Sequence, residues 1–73
     1  MSRALRSKEY QNMIKRLKEA RLRMRLTQVE VAKKLKKPQS YISKTESGER
    51  RIDVTELAII AKVYKRDVNF FVG

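Results

Sequence analysis

The residues of this chain best suited to reading another molecule lie between positions 39 and 44: Gln39, Ser40, Tyr41, Ser43 and Lys44. On a helix turning ~100° per residue, Ser40, Ser43 and Lys44 share one side and Gln39 and Tyr41 flank it. Ile42, Thr45 and Glu46 take the opposite side, which a core needs. A merely solvated helix face mixes Glu with Lys. This face presents an amide, two hydroxyls, a phenol and an ammonium with almost no acid. These groups match base edges and phosphates in a DNA major groove: Gln pairs with adenine, Lys with guanine and Ser with several bases.

Bond-making chemistry has little to work with. His and Cys are absent, which removes the commonest general base and metal ligand, the reactive thiolate, disulfides and thiolate metal sites. There is no Gly-rich loop and no carboxylate cluster, and Ser43, Lys44 and Asp53 do not make an acyl-transfer set. The expectation is a binding protein, not an enzyme, with no cofactor and no metal.

Charge indicates what is bound. The chain of 73 residues has 19 Lys and Arg against 8 Asp and Glu, a net +11. Residues 1–26 hold 9 basic and 2 acidic residues, residues 27–51 hold 7 and 3, and residues 52–73 hold 3 of each. A positive part and a neutral C-terminal part suit docking on a polyanion from one side. Nucleic acid is the leading candidate; an anionic membrane, an acidic partner and a solvated surface are the alternatives. The stretch RLKEARLRMR within residues 8–25 resembles a membrane-surface segment when taken alone, but its apolar residues are needed to close a small core. No apolar run approaches the ~20 residues of a membrane span, and the start lacks a signal-peptide pattern. A cytoplasmic protein is expected.

Five helices would position the reading face. The first runs from about Lys8 to Met24 with Ser7 as N-cap, and Tyr10, Ile14, Leu17 and Arg21 share one face. Thr27 opens the second, with Glu30 completing a capping-box pattern; it ends near Leu35. The third begins beside Pro38 and ends before Gly48, suited to a left-handed C-cap. Asp53 and Glu56 repeat the capping pattern before a fourth helix with Leu57, Ile60, Ala61 and Tyr64 inward. A short fifth turn from Asp67 carries Val68 and Phe71. Two short helices joined by a tight turn are how a reading helix is held beside a backbone-crossing one. Residues 1–7 are expected to form a flexible arm and residues 8–73 one domain.

The stretch L-T-Q-x-x-V-A-x-x-L at 26–35, followed by P-Q-S-Y-I-S-K-T-E-S-G-E-R-R-I-D at 38–53, resembles the Cro/repressor-type helix-turn-helix family of bacterial and phage regulators. Gln28, Ala32, Ile42, Glu46 and Gly48 all sit at that family's spacing, and the likeness covers roughly Ile14 to Phe71. The resemblance implies an all-α, compact five-helix lambda-repressor-like domain that binds double-stranded DNA and regulates transcription as a repressor would. It implies that Gln39, Ser40 and Lys44 read bases. Tyr41 and Ser43 would touch backbone or thymine methyls, Gln28 beside Thr27 would contact phosphate and brace the third helix, and Lys37, Arg50 and Arg51 would lie along the phosphates. Lys36, in the tight turn facing the groove, adds a phosphate candidate of this chain's own. Arg21 and Glu46 match a partly buried ion pair, and Ala32 is small where two helices cross.

The chain departs from the family at Arg25, Lys36 and Lys65, where Gly is usual just after a helix. Either these turns are left-handed at a cost of roughly 1 kcal/mol each, or they close differently. Arg66 stands where an apolar residue is usual.

The neutral C-terminal part suggests self-association. Phe70 and Phe71 are adjacent and cannot both enter one small core. Phe71 should be buried; Phe70, with Val72 and with Ile59 or Val63, should be exposed. The resemblance implies a weak symmetric homodimer on a palindromic operator with half-sites ~10–11 bp apart. The alternatives are a monomer with a frayed C-terminus, and an antitoxin-type or adaptor module whose main partner is another protein. No small-molecule effector site is evident. A bacterial or phage nucleoid-associated setting is expected.

Overall fold

Ser7 caps the first helix: its backbone is extended and its hydroxyl accepts the Tyr10 N–H at 3.1 Å. The computed structural model describes residues 7–72. Its helices are α1 (Lys8–Arg23), α2 (Gln28–Leu35), α3 (Gln39–Ser47), α4 (Val54–Val63) and α5 (Val68–Val72), and no strand occurs among the described residues. The all-α five-helix architecture is the one expected. The expected arm lies outside the described residues except for Ser7, which belongs to α1 as its cap.

Two reciprocal capping boxes open α2 and α4. The Thr27 hydroxyl accepts the Glu30 N–H at 3.1 Å while the Glu30 carboxylate accepts the Thr27 N–H at 2.8 Å. Those bonds from Thr27 hold the Glu30 carboxyl below its ordinary range. Asp53 and Glu56 repeat the exchange at 2.7 and 3.0 Å. Each box satisfies backbone donors that a helix start leaves without partners.

Three helix ends close alike. Arg25, Lys36 and Lys65 have φ of 57°, 57° and 56°, so all three turns are left-handed. The next residue's N–H then reaches back to a carbonyl five residues earlier: Leu26 to Arg21, Lys37 to Ala32 and Arg66 to Ala61, at 3.2, 2.9 and 3.0 Å. This is the pairing a Schellman closure makes. Gly48 ends α3 at φ 84°.

The core is built from Met13, Ile14, Leu17, Ala20, Val31, Ala32, Ile42, Ile52, Leu57, Ile60, Ala61, Tyr64 and Phe71. α1 packs against α3 and α5, and α2 packs against α3 and α4. The expected inward faces of α1 and α4 are the buried ones, apart from Tyr10, which is half-buried.

Phe70 is half-buried, not exposed as its neighbour's burial suggested. Its ring meets Phe71 edge-on at 5.1 Å, and the Arg66 guanidinium lies 4.6 Å from its centroid. Arg16 donates to the Phe70 carbonyl at 3.1 Å, tying α5 to α1. The perpendicular ring packing is what lets two consecutive aromatics both find cover. Val72 and Ile59 are exposed but line different clefts. Ile59 borders Leu35, Tyr41 and Ile60, while Val72 borders Glu9, Asn12, Arg16 and Phe71.

Candidate nucleic-acid interface

α3 turns Ile42 and Thr45 into the core and leaves Gln39, Ser40 and Lys44 exposed. Thr45 sits inside because its hydroxyl donates to the Tyr41 carbonyl at 2.6 Å, one turn back. Ser43 and Tyr41 are half-buried. The three residues expected to read bases therefore stand exposed along α3, whose own acid, Glu46, turns inward, while Ser47 at the helix end holds the Glu49 carboxylate at 2.9 Å.

That face is anchored from inside. Arg21 donates through Nε to Glu46 Oε2 at 2.7 Å and through Nη2 to Oε1 at 3.1 Å, and its Nη1 donates to the Leu26 carbonyl at 2.9 Å. Both side chains are nearly out of solvent, 9 % and 6 % exposed. The bond to Glu46 raises the Arg21 pKa above its ordinary value. Glu46 Oε1 also accepts Gln28 Nε2 at 3.1 Å, and Gln28 Oε1 accepts Gln39 Nε2 at 3.4 Å. A polar chain thus runs from a buried guanidinium on α1, across α2, to the first residue of α3.

The far flank of α3 is held by a second cluster. The Tyr41 hydroxyl donates to Glu56 Oε2 at 2.8 Å. Arg50 donates to both Glu56 oxygens, at 3.3 Å to Oε1 and in a close ion pair to Oε2. The Arg50 guanidinium lies 4.1 Å from the Tyr41 ring centroid and the Lys37 ammonium 5.4 Å. Arg50 holds the Glu56 carboxyl down at about 2, and Glu56 in turn raises the Arg50 pKa. Burial, then the bond to Glu56, pushes the Tyr41 phenol up to about 12.

The loop after α3 is pinned as well. Tyr10 Oη accepts the Ile52 N–H at 2.9 Å and donates to the Arg50 carbonyl at 3.4 Å. Lys36, Lys37 and Arg51 are exposed, and Arg51 borders a cleft with Ser7, Glu9, Tyr10, Met13 and Val72.

A family model described as helix-turn-helix matches residues 17–71, which includes every element of this arrangement from the middle of α1 to α5. The chain belongs to the Cro/repressor-type helix-turn-helix family. That family is one of DNA-binding transcription regulators. No curated protein and no solved structure matches the chain.

Within the helix-turn-helix, α2 and α3 are its paired helices, joined through Lys36, Lys37 and Pro38, and Ala32 of α2 is buried. Thr27 is engaged as the cap of α2. Tyr41 and Arg50, expected along the DNA backbone, have their polar groups bonded within the protein. Two residues that position the site were not singled out for it from sequence. Glu56 was visible only as a capping partner, and Tyr10 only as a member of the apolar face of α1. No helix among the described residues is long and apolar enough to cross a membrane.

Proposed function

We propose that this protein binds a specific double-stranded DNA site by placing α3 in the major groove, and that it regulates transcription in the manner of a repressor. One observation carries the reading: Gln39, Ser40 and Lys44 are exposed along a helix whose own acid, Glu46, is turned inward, where the Arg21–Glu46–Gln28 chain fixes that helix from beneath. Groups held in place before contact bind with less ordering cost. Gln39 has the amide that suits adenine, Lys44 the ammonium that suits guanine, and Ser40 a hydroxyl that adapts. Thr27 and Gln28 at the start of α2, with Lys36, Lys37, Ser43 and Arg51, would bracket the groove through phosphates. Such contacts position the protein and bases specify the site.

The same reading includes a weak symmetric homodimer on a palindromic operator, joined through exposed Val72 and the open edge of Phe70, and a nucleoid setting in the cytoplasm. The neutral charge of residues 52–73 supports it, since two such ends meet without repulsion. Selection from a random duplex library tests the whole. A palindromic consensus bound at least ~10³-fold over scrambled DNA is expected for a specific regulator. Uniform binding of all duplexes with one steep salt dependence would instead leave the +11 charge acting as a non-specific polycation.

A further inference from the structure

Arg50 and Arg51 are adjacent, and by sequence alone they are the same phosphate-seeking pair. Their surroundings differ. The backbone groups and both terminal guanidinium nitrogens of Arg50 are engaged within the fold. Its N–H donates to the Lys44 carbonyl at 3.1 Å, and its carbonyl accepts from Tyr10 Oη at 3.4 Å. Its guanidinium bonds both oxygens of Glu56 and the Arg51 carbonyl, the last at 3.2 Å, while covering the Tyr41 ring. The Arg51 side chain is exposed and forms no ion pair among the described residues.

We infer that Arg50 is a positioning residue that sets the roll of the reading helix, gripping Tyr41 of α3 and Glu56 of α4, and that Arg51 alone of the two binds a DNA phosphate. The inference rests on the major-groove reading and assigns two of its residues opposite roles.

The physical case is a division of labour across α3. On one flank Gln39 is tied to Gln28. On the other, Tyr41 is tied to Glu56 and covered by Arg50. A helix with side chains is ~10–12 Å across, so a roll of ~15° shifts its side-chain tips by ~1.5 Å. Base readout tolerates little of that, because functional groups must be held within ~0.5 Å of the productive geometry. Moving Arg50 to a phosphate would abandon Glu56, whose carboxylate is only 21 % exposed, and uncover the phenol ring beneath it. Arg51 gives up no ion pair in binding an anion.

Arg50→Met, Arg51→Met and Glu56→Gln separate the roles when binding to the selected and a scrambled duplex is followed across salt, with far-UV circular dichroism confirming each fold. Arg51→Met should flatten the slope of log affinity against log salt by ~0.9, the loss of one phosphate contact, and keep the preference for the selected site. Arg50→Met should keep the slope and cut that preference at least ~5-fold. Glu56→Gln should cut the preference too and steepen the slope, because it frees Arg50 toward the DNA. Equal flattening by both arginine variants with preference intact would overturn the assignment. A readout without DNA stands beside these. The Tyr41 ring resonances of the free protein should move in Arg50→Met and stay in Arg51→Met. Unmoved resonances in Arg50→Met would overturn the grip itself. Moved resonances in a protein that selects no duplex would support the grip while the groove reading fails.

Discussion

Gln28 Nε2 donates to Glu46 Oε1 at 3.1 Å, on the same carboxylate that binds two nitrogens of Arg21. This contact joins a core ion pair to the exposed face of α3, since Gln28 passes its other amide atom to Gln39. A buried carboxylate with three donors is well satisfied. It is also costly to disturb, because each donor loses its partner at once.

Arg21→Met should therefore destabilise the domain by about 3–5 kcal/mol, since it leaves Glu46 buried without its counter-charge. Glu46→Gln should be of similar direction, stranding Arg21. The double variant should cost clearly less than the two singles added, as coupled partners do. Urea unfolding followed by circular dichroism is the suitable measurement, the chain having no Trp. Two neutral single variants would remove the ion pair from any structural role.

Gln28→Ala tests the reading end of the same chain. Gln39 would keep its position on α3 but lose the acceptor that orients its amide. Discrimination at the base that Gln39 reads should fall by about 5–10-fold, part of the ~1–3 kcal/mol that an oriented amide pair provides. Discrimination at the Lys44 position should persist. Competition binding with single-base operator variants gives both numbers. Equal loss at the two positions would mean that Gln28 acts on the whole helix and not through Gln39.

The left-handed turns offer a gain instead of a loss. Lys65 holds φ 56° on the neutral part of the chain. Glycine relieves roughly 1 kcal/mol of strain there but adds unfolded-chain entropy. A net gain of about 0.5 kcal/mol remains, a rise of ~2–4 °C in Tm for a domain this small. Lys65→Gly should show it in a thermal melt with DNA binding unchanged. Lys36→Gly should stabilise to the same degree and weaken DNA binding through loss of a charge beside the groove. Lower Tm in both would show that the basic side chains stabilise these closures more than the strain costs.

These outcomes bear on what was readable in the residues. The caps at Thr27 and Asp53 and the inward faces of α1 and α4 obey rules three or four residues long, and a linear pattern carries such rules. The hand of the turns at Arg25, Lys36 and Lys65 is not decidable that way, because the glycine usual in the family is absent at all three and a basic residue there leaves either closure open. The Tyr41–Glu56–Arg50 cluster was hidden for another reason. It spans two helices and the loop between them, and each member already had a sufficient local explanation. Phe70 is half-buried because adjacency forbids two side chains from one direction but not from perpendicular approaches.

Acid should expose that same cluster. Arg50 holds the folded Glu56 carboxyl at about 2, against an ordinary value of 4.5. The unfolded chain then takes up the proton first as pH falls, so the unfolded state gains protons relative to the native one. The contribution is complete above about 4.5, declines below it, and is lost as pH passes down through about 2. Arg50 stays charged across this window, so Glu56 alone titrates in the pair. Unfolding free energy of the native protein should drop between these limits. Glu56→Gln should start lower at neutral pH and lose less on the way down, with the two curves converging at the acid end. The Tyr41 phenol should report the same change at the alkaline end. Burial, the larger cause, remains in Glu56→Gln, so removing the carboxylate acceptor should bring the phenol pKa only part of the way down from about 12, visible in the ultraviolet absorbance of the phenolate. Parallel stability curves for the two proteins would place the acid sensitivity in another carboxylate and detach Glu56 from the stability of α3.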